Sequence, residues 1–218
     1  MSSSTSHGPT AAIVRRTAAL ATRRAALYVH APGDPAAPGD LARWFTERAF
    51  DFYGADLRLS PTASLSGRRG RRNLSTAFAD LDAACARLRR GDGMASVIVT
   101  AYGRAALAAA RWSHDRQAGD ALILSAPAWP ARRLQLEIAC PVLVIGGAQQ
   151  DARASGAARL RRRVHRRVRL PQLGSHVTWL MLAGSGASDA GADRLRYLDE
   201  LGRWLGAYMY GSGRDQLL

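Results

Sequence analysis

VIVTAYGRAALAAARW, residues 97–112, is the stretch whose reading decides the fold. Val97, Ile98 and Val99 are consecutive β-branched residues, which read as a short strand buried on both faces. A tight turn, Ala101-Tyr102-Gly103-Arg104-Ala105, follows without a spacer, and an alanine-rich helix follows the turn. Gly103, Ala105 and Ala106 are small enough for that helix to lie against the strand it has just left. A strand feeding a helix at a sharp bend is a unit of a parallel sheet, so the flanking sequence should repeat the alternation.

It does. Upstream, Ala25–His30 reads as a buried strand stopped by Ala31-Pro32-Gly33-Asp34-Pro35. Asp40 is placed to cap a helix whose inner face is Leu41, Trp44 and Phe45. Phe50–Leu57 is the next strand, and Ser60–Arg72, rich in glycine and arginine, reads as a polar loop. Phe78, Leu81, Cys85 and Leu88 fall at helical spacing, and Gly91-Asp92-Gly93 closes that helix. Downstream come the strands Ala121–Leu124, Pro141–Ile145 and Val177–Leu182. A long closing helix presents Leu195, Leu198, Leu201, Trp204, Leu205 and Tyr208 on one face. Arg159–Arg169 is intensely basic and poorly amphipathic, a solvated helix or loop.

Ahead of the first buried strand, the segment Thr10–Arg24 carries arginines but no acid, as organelle transit peptides do. The preferred reading is a short edge strand at Ala11–Arg15. Arg15-Arg16 and Arg23-Arg24 interrupt the apolar stretches, which argues against a signal peptide. The organisation expected is a disordered tail over 1–10, one domain over 11–210 and a short tail over 211–218.

With 218 residues, 47% hydrophobic and 22% charged, the composition is that of an ordinary soluble domain, and a cytoplasmic location is expected. No apolar run approaches the roughly 20 residues of a membrane span. Cys85 and Cys140 each lie in an apolar pattern and read as buried thiols of a reducing compartment. No Cys/His spacing suits zinc, so no metal is expected, and no cofactor either. The net charge is +14, carried by 31 basic residues that are all arginine. Complete avoidance of lysine beside abundant alanine and glycine reads as a coding bias across the chain. Nucleic acid is therefore not an expected partner, although Arg68, Arg69, Arg71, Arg72 and Arg159–Arg169 would be the anion-binding groups of such a protein.

Taken in order, LYVHAPGD (27–34), FDFYGADLR (50–58), VIVTAYGRAA (97–106), ALILSAPAW (121–129), CPVLVIGG (140–147) and LDELGRWLGAY (198–208) resemble the α/β-hydrolase superfamily. The likeness is to its lysophospholipase and monoacylglycerol-lipase-like, serine-aminopeptidase-type branch, over residues 25–210. It implies an α/β three-layer sandwich, a mostly parallel central sheet with helices on both faces. It also places the site in the loops at the carboxyl ends of the strands. In that alignment the 97–106 bend is the nucleophile elbow, and Gly103 stands where the family has its serine. The oxyanion donors would be the backbone N–H groups at Arg104 and Pro32, but proline has none. Asp151 lies within reach of the acid position; it is either that acid or an ordinary loop aspartate. The histidine position falls near Ala187, in a loop over 183–191 that contains no histidine, while His176 lies at the far end of the preceding strand. His30 either lines the cleft or is a satisfied structural residue; His114 and His165 read as surface residues and His7 as part of the tail.

Relatives insert a cap between the strands ending near Ser125 and starting near Pro141; here only Ala126–Cys140 separates them, so the cap is expected to be absent. His30, Tyr102, Ser125 and Trp129 would then line an open cleft. The resemblance with these departures implies a catalytically inactive hydrolase-fold protein, a pseudoenzyme or decayed paralogue that binds a small molecule or a protein. The alternative is an active carboxylic-ester hydrolase with a relocated nucleophile such as Ser125, and the third reading is the basic anion-binding protein. Monomer and homodimer are not distinguished by the sequence.

Overall fold

Every second residue of Arg24–His30 faces the same way. Ala25, Leu27 and Val29 join one apolar cluster, and Ala26 and Tyr28 join the other. This is strand β2 of a computed structural model that describes residues 13–32, 39–59, 65, 67–127, 136–147, 177–182 and 190–211. The remaining elements in chain order are β1 (Ile13–Arg16), α1 (Gly39–Thr46), β3 (Asp51–Asp56), α2 (Gly67–Ala86), β4 (Ser96–Tyr102), α3 (Gly103–Arg116), β5 (Ala121–Ser125), β6 (Val142–Gly147), β7 (Val177–Leu182) and α4 (Ala190–Gly211). A five-residue π turn, Arg87–Gly91, prolongs α2.

The strands form one sheet in the order β1-β3-β2-β4-β5-β6-β7. Only β1, on the edge, is antiparallel, with Ile13 opposite Ala55 and Arg16 opposite Phe52. All other pairs are parallel. Residues from α2 and α3 cover one face, packing on Leu27, Val99, Leu122 and Val144. Residues from α1 and α4 cover the other, packing on Ala26, Phe52, Ile98, Ile123 and Leu143. The chain thus adopts the three-layer α/β-hydrolase-like architecture, with β4 buried at the centre of the sheet.

Several expectations need correction. The bend is sharper than the turn expected over 101–105, because β4 continues through Tyr102 and α3 starts at Gly103. The polar loop expected over 60–72 is helical from Gly67. Its Gly/Arg composition hid the helix, and Gly70 has a packing reason to be there. A Cβ on Gly70 would stand 2.4 Å from the Leu65 carbonyl carbon. Asp40 lies in the first turn of α1 rather than before it, where its carboxylate still complements the positive helix end. The loop expected over 183–191 gives way to α4 at Ala190. Leu195 is 72% exposed, while Leu201, Trp204 and Leu205 are buried. Six helical steps put Leu195 about 120° around the axis from Leu201. The short edge strand is Ile13–Arg16, and of the two thiols Cys140 is buried and Cys85 only partly so.

Candidate functional site

The carboxyl ends of the central strands lie in one row, and the register says which residues share it. His30 is opposite Asp56, Val29 is opposite Ala101, and Tyr102 is opposite Ser125. In-register residues of parallel strands project to the same face, and neighbouring strands are only about 4.8 Å apart. Asp56, His30, Tyr102 and Ser125 therefore form a polar row on the α1/α4 side, immediately before the bend.

The bend itself depends on a glycine. Tyr102 is extended (φ −118°, ψ 148°), and Gly103 then turns to φ +57°. That left-handed conformation lets α3 start without a connecting residue, and glycine adopts it without the Cβ clash an L side chain would meet. Gly103 is buried and Arg104, next in α3, is half-buried. No side chain caps the helix start by hydrogen bond. The turn is geometrically a strand–helix elbow with bare backbone at its tip. Pro32 is exposed, two residues beyond His30, and brings no N–H to this edge.

Two side chains that the sequence reading did not single out complete the row. Asp56 Oδ1 is 2.7 Å from His30 Nε2, joining the ends of β2 and β3. The Leu57 N–H also donates to the His30 carbonyl, at 2.8 Å. His30 Nδ1 is buried, with no hydrogen-bond partner among the described residues, and the ring lies 5.8 Å from that of Tyr28. One nitrogen is therefore engaged by a carboxylate and the other is closed off. A general base must meet its proton donor at about 2.6–3.2 Å. The imidazole is anchored to the sheet edge through Nε2, while its second nitrogen is buried without a partner among the described residues. The second addition is Tyr197 of α4, whose hydroxyl is 3.3 Å from Ser125 Oγ. Asp56 was legible in principle, since it ends the strand beside the one that His30 ends. Nothing in the sequence pairs Ser125 with a residue 72 positions away.

Of the other candidates, Arg68, Arg69, Arg71 and Arg72 lie in the first turns of α2. His114 is half-buried rather than free on the surface, because Nδ1 accepts the Glu137 N–H at 2.9 Å. Trp129, Asp151, His176, Ala187, His165, His7 and the run 159–169 fall outside the described residues. Among the described residues no group of His, Cys, Asp and Glu could hold a metal ion, and no helix is long and apolar enough to cross a membrane.

No family model matches the sequence, and no curated protein matches it either. Solved structures do match the fold. An alpha-beta serine hydrolase homologue from Coxiella burnetii superposes with a TM-score of 0.56 at 13% identity, covering 88% of this chain and 90% of that one. Est1E from Butyrivibrio proteoclasticus gives 0.62 at 8% identity over 90% and 93% of the two chains. A phospholipase/carboxylesterase from Dyadobacter fermentans gives 0.57 at 13% identity over 86% and 94%. Similarity at this level of identity is a likeness of fold alone.

Proposed function

We propose that this protein is a hydrolase-fold binding protein without nucleophilic catalysis, descended from the lysophospholipase-like branch and working in the cytoplasm on a small molecule or a protein partner. The observation that carries the reading is Gly103 at φ +57°. The elbow's backbone is kept, while the residue at its tip has no atom with which to attack a carbonyl. Three further features agree. Pro32 removes an oxyanion donor, a loss that typically costs about 10²–10³ in rate. His30 Nδ1, the nitrogen not paired with Asp56, is buried. Ser125, among the described residues the only serine at the carboxyl end of a central strand, hydrogen-bonds a tyrosine rather than an imidazole.

The test is a fluorophosphonate probe together with short-chain nitrophenyl esters, applied to the purified protein. The reading expects no labelled serine and no turnover above buffer. A labelled serine whose replacement by alanine abolishes turnover overturns it in favour of the relocated-nucleophile enzyme.

A further inference from the structure

The opposite edge of the sheet carries a feature that the cleft does not explain. Residues 17–23 join β1 to β2 by crossing beneath the start of β3, and the crossing is pinned. The Ala18 N–H donates to Asp51 Oδ1 at 2.8 Å, and Arg23 Nε donates to the Gly93 carbonyl at 3.2 Å. The loop reads TAALATR, and its Leu20 is 72% exposed. A lone exposed leucine is ordinary. Its surroundings make this one informative.

Arginines share this amino-terminal edge of the sheet with the leucine. Arg16 and Arg23 flank it in the chain, both exposed. The Arg24 guanidinium lies 5.0 Å from the centre of the Phe50 ring, and that of Arg48 lies 4.1 Å from Trp44. Both are held in place by aromatic faces. Arg87 and Arg90 project from the π turn, which buries Leu88 completely and leaves its neighbours in solvent. Of the carboxylates along this rim, Asp51 is taken by Arg15 and Asp120 by Arg89. Glu47 and Asp92 remain against six arginines.

An apolar tip on a sheet edge rich in guanidinium groups matches one surface in particular. At an anionic bilayer the leucine reaches the acyl boundary while the arginines, long and amphipathic, meet the phosphates. A nucleic-acid backbone would use the arginines but press Leu20 against phosphate. We propose that this rim docks the protein on anionic phospholipid membranes, with Leu20 inserted and the Gly103 bend, at the other ends of the strands, facing away.

The test is co-sedimentation of the full chain with vesicles of phosphatidylcholine alone and of phosphatidylcholine rich in phosphatidylserine. Binding is expected on the second, weakening as salt rises. One arginine near such a surface is worth about a five-fold factor, so Arg87→Gln with Arg90→Gln should weaken binding about 25-fold. Arg72→Gln with Arg196→Gln, which removes the same charge near the other edge, should leave it unchanged. Leu20→Ser should weaken binding several-fold with the salt dependence intact. A dye on Leu20→Cys should shift to the blue on vesicles, a readout that does not depend on affinity. Absence of binding, equal losses in the two double variants, a neutral Leu20→Ser or an unshifted dye each overturn the proposal. So does binding of duplex DNA, lost on Arg87→Gln with Arg90→Gln, in a protein that ignores vesicles.

Discussion

Gly103 is the residue where backbone strain and chemistry meet. At φ +57° any Cβ is disfavoured by about 1–2 kcal/mol. Gly103→Ala should therefore lower the unfolding free energy by that amount, seen as an earlier urea midpoint with the slope of the transition unchanged. Gly103→Ser carries the same strain and is expected to restore no ester turnover, because His30 Nδ1, the nitrogen not paired with Asp56, is buried. Measurable hydrolysis by Gly103→Ser would show that a working base faces the bend after all. The bend was readable from VIVTAYGRAA as a strand, a turn and small residues. The commitment of His30 was not, because a histidine at a strand end is equally compatible with solvent, cleft or partner.

Between elements, one buried carboxylate ties the end of the third strand to the helix that follows. Asp80 is 6% exposed and accepts the Arg58 N–H at 2.9 Å and the Arg58 guanidinium at 2.8 and 2.6 Å. Arg58 is half-exposed, so solvent screens part of the charge attraction, and the hydrogen bonds to a buried acceptor carry the rest. Asp80→Ala is expected to cost about 2 kcal/mol in denaturant unfolding. Arg203→Ala removes the contacts to Asp199 and Glu200 on α4, where Arg203 and Asp199 are exposed and Glu200 is partly so. It should leave the melting midpoint in place. Helix α2 also shows where pattern reading fails. Its first turns are arginine and glycine, with Gly70 set by the close approach to Leu65, so no apolar period announces them. The same limit applies to Leu195, whose place in an apolar series says nothing about how far the sheet extends beneath it.

At the scale of the molecule, two acidic side chains are held neutral by the fold. Burial pushes the Cys85 thiol from its ordinary 9.0 up to about 12, with Arg89 opposing, and burial pushes Tyr53 from 10.0 to about 12. Both groups keep their protons longer in the folded chain than in the unfolded one. Stability is thus unaffected by them below about pH 9 and falls as the pH rises from there toward 12. Urea midpoints measured across that range should decline, and Cys85→Ala should flatten the earlier part of the decline. An unchanged slope in that variant would mean the thiol is exposed enough to ionise normally.

By itself the sequence determined the architecture, because hydrophobic periodicity and strand–helix alternation are local signals that any buried parallel sheet must leave in the chain. It also determined that the sharpest bend carries no side chain, since a glycine is a glycine in every fold. Only the tertiary structure decided that His30 serves Asp56 and that Ser125 serves Tyr197. It alone set Arg48 and the Arg87–Gly91 turn at the same sheet edge as the loop that carries Leu20. Those are partnerships between residues distant in the chain, fixed by strand register and helix rotation, and neither quantity is written in any local stretch of sequence.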